Sequence, residues 1–141
     1  MYLIQAMSKF YKRIQKTVKK DIHTCVMIGN NSHAIDSIID GFNTVFCVNW
    51  QEIMPRFKNI IAIQDTGFLH DRVEIDIIFI NQRFDENILQ FIAPLSKRAT
   101  PAILLHNDIV LSTEYINFFN RIKYEMIQIV DEYQIWKKIR K

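Results

Sequence analysis

His106 and Asp108 are the residues of this chain that best suit proton transfer. Histidine titrates near neutrality, so His106 with Asp108 can serve as a general base. Four other polar groups fall at comparable places. They are Gly29-Asn30-Asn31, Asn49 with Trp50, Asp65-Thr66, and Asn81-Gln82 followed by Phe84. Amides and carboxylates of this kind can hold a ligand by hydrogen bonds, and the same residue types also build turns and caps. Asn81, Asn107 and Asp108 together carry one charge, which is too little for an oxygen-ligand Mg²⁺ or Ca²⁺ site, so no metal is expected. No P-loop, nucleophile elbow, CxxC or HExxH motif is present.

Each polar group closes a short apolar run. The runs are Thr24–Ile28, Thr44–Val48, Ile60–Gln64, Glu74–Ile80 and Ala102–Leu105. Strands that are apolar on both faces belong in a parallel sheet covered by helices. In open sheets of that kind, ligands bind outside the carboxyl ends of the strands. The polar residues are therefore expected along one rim.

Helical spacing joins the strands. Leu3, Met7, Phe10, Ile14 and Val18 mark a basic amphipathic helix over residues 2–19. Asn31 or Ser32 can cap a helix that ends at Gly41, and Trp50–Phe57 reads as a short helix. Asp85 can cap a helix through Leu95, and Ser112 or Thr113 one through Ile122. Glu125–Val130 and Tyr133–Ile139 flank Asp131-Glu132, too short a link for a parallel crossover, so this pair is expected to be an antiparallel hairpin.

Composition bounds the rest. A chain of 141 residues, 49% hydrophobic and 23% charged, fits one domain over 1–141 with a real core. No apolar run approaches the roughly 20 residues of a membrane helix, and no signal peptide is expected. Cys25 and Cys47 lie inside apolar strands and read as buried thiols of a cytoplasmic protein. The net charge of +3 is divided: residues 1–20 carry six Lys/Arg and no acid, and residues 137–141 carry four. The other eight basic residues share the body with all 15 acids, leaving it near −7. Such basic ends can meet nucleic acid or an acidic protein, or serve as solvated surface.

The order of these elements resembles the class I S-adenosylmethionine-dependent methyltransferase fold. That resemblance implies an α/β, Rossmann-like, doubly wound and mostly parallel sheet. It would be closed by a C-terminal antiparallel β-hairpin and preceded by the N-terminal amphipathic helix. It also implies S-adenosylmethionine as cofactor, held by Gly29, Asn30 and Asn31 after the first strand. Asn49 would stand in the ribose position, Trp50 would wall the adenine, and Asp65 and Thr66 would meet the adenine edge. Asn81 and Phe84 fall where amine-directed members carry Asn/Asp-Pro-Pro-aromatic, so Asn81, Phe84, His106 and Asp108 would face the methyl acceptor. The chain departs from the pattern at several points. Asn31 and His33 replace two motif glycines, Met27 and Asn49 replace acids, and both prolines are missing. Two readings therefore stand together. One is a methyltransferase of unknown acceptor. The other is a non-catalytic module of the same fold whose basic termini contact a partner. A Rossmann-like binder of another nucleotide is a third reading, set against the lone Gly29.

Overall fold

The computed structural model describes residues 12–19, 23–29, 44–48, 60–63, 74–98 and 100–139. The strands are β1 (Thr24–Ile28), β2 (Thr44–Val48), β3 (Ile60–Ile63), β4 (Ile77–Ile80), β5 (Ala102–His106), β6 (Tyr124–Val130) and β7 (Tyr133–Lys138). The helices among the described residues are α1 (12–18), α2 (Glu86–Arg98) and α3 (Thr113–Arg121). The expected helices after the first strand and at 50–57 lie outside the described residues, as does the first half of the N-terminal one.

One seven-stranded sheet runs β3-β2-β1-β4-β5-β7-β6. The first five strands are mutually parallel, and β7 is antiparallel to both β5 and β6. Strand alternation divides the core into two layers. Cys25, Met27, Ile77, Phe79 and Leu104 face Ile14 and Val18 of α1. Val26, Ile28, Ile78, Ile80 and Leu105 face Ile88, Ile92 and Leu95 of α2, and Phe118 and Phe119 of α3. The apolar runs are continuous because both sides of each strand are covered. Phe119 is fully buried and stacks on Trp136 at 4.8 Å, tying α3 to β7.

Local chemistry sets the element ends. Asp85 Oδ1 accepts the Ile88 N–H at 3.0 Å and so caps α2. The Ser112 carbonyl receives the N–H groups of Tyr115 and Ile116, while its hydroxyl makes no cap bond. Strand β4 begins at Ile77, later than the expected Glu74; just before it, the Asp76 main chain still bonds Thr24 and Ala102, and its carboxylate accepts the N–H groups of His23 and Thr24. Lys19 ends α1 in the left-handed region (φ +63°), with its N–H on the Gln15 carbonyl at 2.8 Å.

The seam between β1 and β4 is unusually close. Gly29 has φ +97°, and a Cβ there would lie 2.9 Å from the Asn81 carbonyl carbon, the Gln82 nitrogen and the Gln82 Cβ. Glycine is required for both reasons. Gly29→Ala should cost on the order of 1–3 kcal/mol in urea unfolding, and an unchanged midpoint would show that the loop yields freely. Phe119→Ala should cost about 3–5 kcal/mol by the same measurement, as an unfilled core cavity does.

Candidate functional site

Strand order reverses between β1 and β4. From β1 the sheet grows outward through β2 and β3, and from β4 through β5. Such a reversal opens a crevice at the carboxyl ends, where ligands of open α/β sheets bind. Ile28 lies level with Ile80 and Val48, and Val48 level with Ile63. The four strands therefore end on one rim. Gly29 follows Ile28 and Asn81 follows Ile80 directly. The chain leaves β2 one residue before Asn49 and β3 two residues before Asp65. Asn30, Asn31, Asn49, Trp50, Asp65 and Thr66 themselves lie outside the described residues.

Asn81 is held from two sides. Its N–H donates to the Ile28 carbonyl at 2.8 Å, extending the β1–β4 ladder. Its Oδ1 accepts the Tyr133 hydroxyl at 2.6 Å. Burial pushes the Tyr133 phenol well above its ordinary pKa, so the hydroxyl keeps its proton and donates it. This fixes the amide with its oxygen toward Tyr133. Asn81 Nδ2 is buried and has no hydrogen-bond partner among the described residues. A buried donor without an acceptor is costly, and in a native fold it points to a ligand or another unseen acceptor.

Tyr133 also connects Asn81 to His106. It opens β7 opposite His106 in the β5–β7 register. Its ring meets His106 edge-on at 5.5 Å and Phe79 edge-on at 5.5 Å. His106 is mostly enclosed, and its Nδ1 accepts the main-chain N–H of Asp108 at 3.2 Å. That bond leaves the imidazole proton on Nε2, which lies 3.5 Å from Glu132 Oε2. The Asp108 carboxylate is 3.8 Å from Nδ1 and is 93% exposed. Asp108 thus engages His106 through its main chain, and the carboxylate nearest the proton-bearing nitrogen belongs to Glu132.

Phe84 is placed differently from a ring facing an acceptor. It is 3% exposed and packs on Tyr115 at 4.7 Å and Phe119 at 5.5 Å, so it anchors the turn after β4 to α3. Met27, in the position of the family's acid, is fully buried among apolar side chains. The structure therefore gathers Gly29, Asn81 and His106 around the β1–β4–β5 rim. Tyr133 and Glu132, which residue-type reasoning passed over, join them there. The signal for Tyr133 was the alternation of its strand, which turns residues 133, 135 and 137 to one face. Among the described residues no three His, Cys, Asp or Glu side chains group as metal ligands. No described helix is long and apolar enough to cross a membrane.

No protein-family profile matches the chain, and no curated protein matches it. Solved structures do. The MycE methyltransferase from the mycinamycin biosynthetic pathway, in complex with Mg and SAH, aligns at a TM-score of 0.58 with 12% identity over 98% of this chain. The same enzyme with mycinamycin VI also bound gives 0.57 and 10%. The chain spans about half of MycE, 49% of its length. A crystal structure described as a putative S-adenosyl-L-methionine-dependent methyltransferase from Methanococcus maripaludis aligns at 0.55 with 13% identity, over 96% of this chain and 86% of that one. At these identities the likeness is one of fold: the chain is a mixed α/β protein with the fold of these methyltransferases.

Proposed function

We propose that this protein binds S-adenosylmethionine at the carboxyl rim of β1–β3 and transfers its methyl group to an acceptor seated over β4 and β5. The observation that carries the reading is the buried Nδ2 of Asn81 at the strand-order reversal, which has no partner among the described residues. The fold's likeness to the two methyltransferases supports it. The cofactor, when bound, supplies an electrophilic methyl carbon on a sulfonium. What remains for the protein is chiefly placement, because a nucleophile aligned with that carbon needs little further help.

Gly29, Asn30, Asn31, Asn49, Trp50, Asp65 and Thr66 are proposed to hold the cofactor. Asn81 presents its N–H₂ to the acceptor, with Tyr133 fixing its orientation. His106, flanked by Asp108 and Glu132, is proposed as the proton carrier for acceptors that must lose one. A non-catalytic version of the fold is favoured by one observation, the apolar burial of Met27 where the family has an acid. A cofactor-binding experiment separates the two readings.

Thermal unfolding with S-adenosylmethionine and S-adenosylhomocysteine should raise the midpoint. Ligand at about 100 times its dissociation constant contributes roughly 2.7 kcal/mol. Asp65→Ala should abolish most of that rise while leaving the ligand-free midpoint in place. No rise at millimolar ligand would support the non-catalytic module. The Asn81–Tyr133 pair makes a separate prediction. Tyr133→Phe alone should cost about 1–3 kcal/mol, since it leaves the amide oxygen unpaired as well. Asn81→Leu combined with Tyr133→Phe removes both polar partners and should return urea stability to within about 1 kcal/mol of the parent. A large loss in the double variant would make the pair structural and remove Asn81 from the site.

A further inference from the structure

The two basic ends of the chain, more than a hundred residues apart in sequence, meet on one groove. It lies between α1 and the β6–β7 hairpin and encloses about 1260 Å³. Arg13, Lys16 and Lys19 line it from α1, and Lys137 from β7; Lys138 also borders it, but its ammonium turns to the Ser96 carbonyl on the other face of the sheet. Glu125 is the one carboxylate among the described residues that line it. Ala102 at the start of β5 and Ile139 beyond the end of the antiparallel β7 lie on its wall, so it opens at the amino ends of the parallel strands. The Asn81 rim is at the other end of the sheet.

The groove is built by folded contacts. Ile14 and Val18 bury one face of α1, which turns Lys16 and Lys19 outward. Arg13 pairs with Asp131 of the hairpin turn at 2.6 Å. Lys137 Nζ donates to the Val18 carbonyl at 2.7 Å and fastens the end of α1 to β7. These contacts hold like charges together around one cleft, an arrangement that raises self-repulsion unless an anion relieves it. Arg13 to Lys19 spans six residues, about 9 Å of helix. A nucleic acid strand presents a phosphate about every 3.4 Å of helix axis along its whole length. A peptide matches that density only where every residue is acidic, at about 3.3 Å per residue. No aromatic ring lines the groove among the described residues, so nothing there stacks on a base.

We propose that this groove docks a nucleic acid through its phosphodiester backbone, without reading its sequence. The inference does not depend on methyl transfer, since the groove lies away from the carboxyl rim.

The test is fluorescence anisotropy of the full chain with labelled mixed-sequence single-stranded RNA, single-stranded DNA and duplex, at several salt concentrations. Four phosphate contacts, from Arg13, Lys16, Lys19 and Lys137, predict an affinity loss of about 50-fold or more between 50 and 200 mM salt. Lys16→Glu with Lys19→Glu should weaken binding and reduce the logarithmic salt slope by about 1.5. Both side chains are exposed, so circular dichroism should be unchanged. Lys97→Glu, on the opposite face of the sheet, should leave affinity as it was. Absence of binding at low salt would overturn the proposal. So would equal losses from the Lys97 and groove variants, or tighter binding of polyglutamate than of nucleic acid, which would make the groove a site for an acidic protein.

Discussion

Gly29 and the main chain of Asn81 and Gln82 pack so closely that no side chain fits between them. The sheet diverges from that seam, with β2 and β3 to one side and β5 and the hairpin to the other. Because the strands on either side keep level registers, their carboxyl ends finish together. A single tight contact between two strand ends thus sets where the crevice opens and which residues stand at its mouth. It also explains why a glycine stands at position 29. The position is demanded by backbone geometry and by the neighbouring loop, whatever else the site does.

The hairpin does more than close the sheet. Tyr133 reaches from the start of β7 to the amide of Asn81 and lays its ring against His106. The proton on its buried hydroxyl determines which end of the amide is taken and which end is left to donate. Glu132, in the turn just before it, comes within 3.5 Å of His106. The last fifth of the sequence therefore supplies part of a rim whose other residues, Gly29, Asn81 and His106, come from earlier in the chain.

Consecutive residues of a strand face opposite ways, and β7 uses this at its other end. Lys137 donates to the last turn of α1, and Lys138 donates to the Ser96 carbonyl near the end of α2 on the other face. Each ammonium meets a helix C-terminus, where carbonyls lack intrahelical partners and the helix dipole is negative. Two adjacent lysines thereby tie both helical layers to one strand. The same strand supplies part of the basic groove, so charge that looks in sequence like a solubilising tail is built into the fold.

Among the described residues, the amino-acid order by itself determined the element types and most of their bounds. Strands apolar on both faces, the Asp85 cap and the short Asp131-Glu132 link are local signals, and each has a local physical cause. The same locality made the rim legible, because polar residues that end apolar runs must emerge where strands end. The roles of particular side chains were less legible. By motif position Phe84 would face the methyl acceptor, yet its ring packs on Tyr115 and Phe119 once α3 covers the turn. Asp108 reads as the partner of His106, yet the strand pairing brings Glu132 to the proton-bearing nitrogen and leaves Asp108 to act through its main chain. Strand order, the Tyr133–Asn81 bond and the meeting of the two basic ends were decided only by tertiary structure. Each joins residues separated by tens of positions or more, and no spacing along the chain encodes which surfaces will be brought together when both faces of a sheet are covered.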